Sequence, residues 1–159
     1  MPDWFSQDAD ERDSRTVRLD LVEVSAWILP HPDKEFVEFG YQGPPGMEDI
    51  TAMQGHIVAL PDWTPRFSRL CHVHPDIQLA QLDPEAMKAA RQVGLDFHRQ
   101  HYGERPVRAA NLVAHSHNRP MIRQWEAMNS DGPLLHVKAF SAPEAAVAWL
   151  TEPAWRARA

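Results

Sequence analysis

The sequence predicts an α/β fold: a mixed sheet of about five strands, opened by an antiparallel hairpin and continued by parallel βα units, with about four helices. Three observations lead there. Alternating apolar residues flank a proline turn near the start. Beyond Gly46, segments of helical spacing alternate with short apolar runs. Proline or glycine punctuates most of the boundaries between them, helped by 14 prolines in 159 residues.

Residues 1–15 read as a polar lead-in, with Trp4 and Phe5 as an aromatic pair inside it. From Thr16, Val17, Leu19 and Leu21 share one face of an extended segment, and Val22, Val24, Ala26 and Ile28 the other. The change of face at Leu21–Val22 marks a bulge or a division into two short strands. Pro30–Asp33 (PHPD) forces a turn, since a proline nitrogen donates nothing to a ladder. Phe36, Phe39 and Tyr41 follow on a second strand. Gly43–Gly46 (GPPG) ends it, and Ile50, Met53, Ile57 and Leu60 then recur at helical spacing as far as Pro61. Ser68–His74 is a strand stopped by Pro75. Asp83 as N-cap, Pro84 in the first turn and Gly103 past the end bound a helix on which Ala86, Ala90, Val93 and Phe97 share a face. Val107–Ala114 is a nearly unbroken apolar run, the pattern of a strand covered on both faces. Asn118 caps a helix carrying Met121, Ile122, Trp125 and Met128, and Leu134–Phe140 is the last strand. Ser141 and Glu144 have the spacing of a capping box, with Phe140 as the outer half of a staple, and open a helix through Ala145, Ala146, Trp149 and Leu150. No repeat or linker interrupts 16–152, which reads as one domain followed by a short tail at 153–159.

Composition narrows the function classes. With 16 Lys+Arg against 22 Asp+Glu, the net charge of −6 argues against a general binder of nucleic acid or anionic membranes. No apolar run approaches the ~20 residues of a membrane span, and the polar, acidic start is unlike a secretory signal. A single cysteine, Cys71, leaves no internal disulfide framework and no multi-cysteine zinc site. The expectation is a cytoplasmic protein without a membrane span or a nucleic-acid partner.

The closing segment FSAPEAAVAWL (Phe140–Leu150) joins a strand-terminal Phe140 to an Ala-rich helix ending Ala148-Trp149-Leu150. Together with EFVEFGYQGPPGMEDI (Glu35–Ile50) and the order of elements, it resembles the STAS-like family of SpoIIAA-like domains. The likeness runs from about Thr16 to Leu150 and rests on structural motifs, not catalytic ones. It implies a bacterial, cytosolic, non-enzymatic module that acts through a protein partner or through an apolar ligand held between helices and sheet. In one branch of that family, a Ser in an Asp-Ser pair after a central strand is phosphorylated. The matching stretch here, His72–Ala86, contains no Ser, Thr or Tyr, and Asp83 and Glu85 would repel a phosphate at that helix start.

Nine histidines are the one chemical excess. His72 and His74 flank Val73, and His115 and His117 flank Ser116. Alternate side chains of an extended segment share a face, so each pair can present two imidazoles together. Both pairs end their strands at the carboxyl edge, where open α/β sheets hold ligands, with Asp76 and Asn118 beside them. His72, His74, Asp76, His115, His117 and Asn118 are therefore the candidate ligand- or partner-binding residues. Such a set could bind Zn or another divalent ion, or an anion when protonated. The simpler reading is strand-end histidines, each bonded to a loop carbonyl or water.

Other motifs carry less. Gly40, Gly43 and Gly46 have the spacing G-x-x-G-x-x-G, and Pro44 and Pro45 remove amide donors that a phosphate loop would use. Cys71 and His72 are consecutive in a strand and so face opposite ways, which makes Cys71 a small core residue. Ser116 lacks the flanking glycines of a nucleophile elbow. Asp49 and Asp62 read as helix-start and loop residues. Met47, Met53, Met121 and Met128 could line an adaptable apolar pocket if the first and third helices splay.

The expected function is thus a non-catalytic, STAS-like binding or regulatory module for a protein partner or a small apolar ligand, with no catalytic set and no cofactor. The alternative is a metal-binding protein or metal-assisted hydrolase using the strand-end histidines. A homodimer joined through exposed aromatics is a third reading.

Overall fold

Residues 14–74, 84–113 and 134–158, with positions 120, 123, 126 and 127, are described by a computed structural model. Six strands form one sheet in chain order: β1 (Val17–Asp20), β2 (Ser25–His31), β3 (Phe36–Tyr41), β4 (Ser68–His72), β5 (Val107–Leu112) and β6 (Leu135–Phe140). Pairings β1–β2 and β2–β3 are antiparallel, and the remaining three are parallel. The fold is therefore α/β with the mixed sheet expected. The sixth strand comes from the change of face at Leu21–Val22. The Leu21 amide donates to the Val24 carbonyl at 2.9 Å, closing a turn that pairs Asp20 with Ser25. One long alternating segment thus becomes two strands.

Helices α1 (Met47–Val58) and α2 (Pro84–Tyr102) occupy the two connections flanking β4, and α3 (Pro143–Leu150) and α4 (Pro153–Arg158) follow β6. Strand period fixes two faces. On one, Ala26, Ile28, Val37 and Phe39 pack with Phe67 and with Met53 and Ile57 of α1. On the other, Phe36, Leu70, Ala110 and Leu112 pack with Ala146 and Leu150 of α3. Each fully buried Ile or Leu stabilises by roughly 1.5–3 kcal/mol relative to exposure, so both layers contribute to one core.

Asp49 locks the start of α1. It is fully buried, and its two carboxylate oxygens accept the Gly46 amide at 2.9 Å and the Glu23 amide at 2.8 Å. Burial would push this carboxyl up. The backbone bonds from Glu23, Gly46, Val24 and Val22 outweigh it and hold the group below the usual range. The turn before β2 is thereby tied to a helix that begins more than twenty residues later.

Two sequence expectations shift at the end of the chain. Ser141 does not cap α3. The N-cap is Ala142, with no side-chain bond, and Pro143 takes the first helical position that its fixed φ suits. Residues 153–158, read as tail, form α4, in which Trp155 is buried. Arg156 reaches from α4 to the far end of the sheet, donating to the carbonyls of Glu35 and Arg66, each at 2.8 Å. Glu35 carries φ of 54°, uncommon for a residue with a Cβ. Its carbonyl accepts from Ser68 and Arg156, and its carboxylate pairs with Arg66 at 2.9 Å and Arg156 at 3.5 Å, which fixes the turn.

Pro120, Arg123, Glu126 and Ala127 are helical, within the span expected for a helix after Asn118. Its Met121, Ile122, Trp125 and Met128, like Trp4 and Phe5, lie outside the described residues or their described side chains. Among the described residues no helix is long and apolar enough to cross a membrane.

Candidate functional site

Between α1, α2 and the sheet lies a cavity of about 190 Å³. Phe39 and Tyr41 supply its floor from β3, Met47 and Ile50 one wall from α1, and Val93 and Phe97 the other from α2. Val93 and Phe97 are four apart and so lie on one side of α2. Gly94 lies between them in the wall, and a Cβ placed on it would meet nothing within 4 Å. A glycine inside a helix costs about 1 kcal/mol relative to alanine, so α2 gives up stability where the cavity gains room.

A few polar groups interrupt this apolar lining: Gln54, Arg69, Asn111 and His74 among them. Arg69 and Cys71 face the cavity because they alternate with Leu70 and His72 along β4, and Asn111 is paired with Cys71 in the neighbouring strand. Burial pushes the Cys71 thiol up to about 12, with the Arg69 charge opposing weakly. Burial, followed by the neighbouring Cys71 and Asp49, also raises the Tyr41 hydroxyl. Both groups are therefore neutral near pH 7. Cys71 supplies packing surface and no thiolate nucleophile.

A second polar arrangement lies on the opposite face of the sheet. Glu38, in the middle of β3, is fully buried. Its Oε1 is 3.0 Å from His31 Nε2, and its Oε2 is 2.7 Å from His72 Nε2. A carboxylate can only accept, so both Nε2 atoms carry hydrogen and donate. Burial would raise this carboxyl. The two imidazole bonds and their charge outweigh burial and bring it down to about 2. Trp27 leans on the His72 ring with centroids 5.0 Å apart, and His31 stacks on Phe36 at 4.5 Å. Gly40 permits this: a Cβ there would stand 2.7 Å from the Trp27 ring. The site orients two imidazoles rigidly around one anion.

The candidate histidines thus go to different places. His72 turns to Glu38 on one face, while His74, beyond the end of β4, lines the cavity on the other. Asp76, His115, His117 and Asn118 lie outside the described residues. Among the described residues no three His, Cys, Asp or Glu side chains are grouped as a metal site. Of the four methionines suggested for a pocket, Met47 lines the cavity, and Met53 is core. Met121 and Met128 lie outside the described side chains, and the cavity lies between α1 and α2.

Glu38, His31 and Arg69 escaped the sequence reading. The available signal was a charge inside an apolar strand: FVEFGY puts Glu38 among Phe36, Val37 and Phe39, and a buried carboxylate requires partners. No known family, curated protein or solved structure matches the chain.

Proposed function

We propose that this protein is a non-catalytic binding module that takes a small apolar ligand into the cavity between α1, α2 and the sheet. The cavity itself carries the reading. An apolar cavity of roughly 150 Å³ is enough to bind benzene in a protein core, so about 190 Å³ accommodates a substituted ring or a short chain. A ring of apolar side chains with a few convergent polar groups is the usual make-up of a ligand site. The mixed sheet with its opening hairpin agrees with the STAS-like resemblance, which implies an apolar ligand between helices and sheet. Membership in that family and a cytoplasmic, bacterial setting are part of the same proposal. The metal or hydrolase alternative needs its histidines on one point. With His72 Nε2 committed to Glu38 and His74 in the cavity wall, the apolar-ligand reading has more support.

Titration with toluene, followed by amide chemical shifts, tests it. Shifts confined to Ile50, Phe97, Cys71 and their neighbours are expected, and Gly94→Leu should weaken binding at least tenfold while the protein stays folded. Shifts scattered over the surface, or none, would sink the proposal. Native mass spectrometry of material purified from cells would then identify a co-purifying molecule.

A further inference from the structure

We infer that the ligand of this cavity is a small monocarboxylate, its apolar body among Phe39, Ile50 and Phe97 and its carboxylate on Arg69. This deepens the reading above and rests on it. Arg69 is a cation in a mostly apolar lining, and among the described residues no carboxylate pairs with it. Its guanidinium is held from two sides. Nη1 donates to the Gln54 side chain of α1, and the planar group sits over the Tyr102 ring of α2, 5.5 Å from its centroid. Its Nε–H is buried and meets no acceptor among the described residues, and the Tyr102 hydroxyl is a second buried donor in the same condition.

A partly buried cation with a buried, unpaired Nε–H and no counter-charge is costly, and an anion brought to it recovers part of that cost. Guanidinium presents parallel N–H donors that match the two oxygens of a carboxylate, and a guanidinium already immobilised by Gln54 and Tyr102 loses little freedom on binding. The neutral Cys71 and Tyr41 add no opposing charge. Asp49, whose charge helps raise the Tyr41 hydroxyl, already accepts two backbone amides at the start of α1. The cavity's size suits a ligand body of about one ring or a short aliphatic chain.

Matched pairs of probes separate charge from shape: phenylacetate against phenylacetamide, and hexanoate against hexanamide, titrated by calorimetry at pH 7. In the wild-type protein each carboxylate should bind at least tenfold more tightly than its amide. Arg69→Met should erase that ratio while retaining amide binding, and Arg69→Lys should keep part of it. Equal binding of acid and amide in the wild type overturns the carboxylate assignment and leaves the apolar-ligand reading intact. No binding of any of the four probes overturns both. Because the ratio is read first in the wild type, a misfolded Arg69→Met would not remove the test.

Discussion

Replacing Glu38 by glutamine removes the anion between His31 and His72 with almost no change in shape. A carboxyl that titrates at about 2 when folded, against 4.5 ordinarily, holds its charged form roughly 3 kcal/mol more favourably in the folded state than in the unfolded one. The folded pKa is the lower of the two, so this contribution is complete above about pH 4.5. It fades as pH falls toward 2, because the unfolded chain takes up the proton first. Glutamine keeps one carbonyl acceptor but sets an amide against the other imidazole. The expected loss near pH 6 is about 2–3 kcal/mol, in line with ~1.5–3 kcal/mol for hydrogen bonds to a charged group. Urea denaturation followed by circular dichroism, run from pH 6 to pH 2.5 on both proteins, measures it. The gap between them should hold from pH 6 to about pH 4.5 and narrow below it. If E38Q matches the wild type within 0.5 kcal/mol at pH 6, or if the gap is the same at every pH, the account of Glu38 is wrong.

Two further perturbations test the packing beside His72 and the lock at the start of α1. Gly40→Ala drives a methyl into the Trp27 ring, which must leave its place over β3. A loss of about 1–3 kcal/mol is expected, with the His72 ring resonances, now shielded by Trp27, moving toward their exposed positions. Unchanged shifts would contradict the packing described. Asp49→Ala strips the acceptor from the Glu23 and Gly46 amides, costing about 1.5–3 kcal/mol. Hydrogen exchange should accelerate at those two amides before it does in the core strands, and uniform acceleration would argue against a local lock.

The element types were largely legible in the sequence, because the signals that carry them are local. Pro61 and Gly103 stand just beyond the ends of α1 and α2, and the alternation through Val17 and Leu19 could only be extended. What escaped depends on contacts far apart in the chain. Ser141 and Glu144 have capping-box spacing, yet the competing preference of Pro143 for the first helical position moved the helix start by one residue. Whether His72 and His74 share a face depends on where β4 stops, and hydrogen bonding to β5 ends with the Val73 amide. The cavity was least legible of all. Gly94 reads as a weak point in a helix until the opposite wall from α1 is known, and Arg69 reads as the exposed half of an alternating strand.

Arg156 makes α4 a clasp for the distant Glu35 turn. Its bonds to Glu35 and Arg66 bridge 121 and 90 residues, so this end of the sheet is pinned only once α4 has docked. A proteolytic nick ahead of Pro153 that released α4 would leave the Glu35 turn with its Ser68 and Arg66 contacts alone.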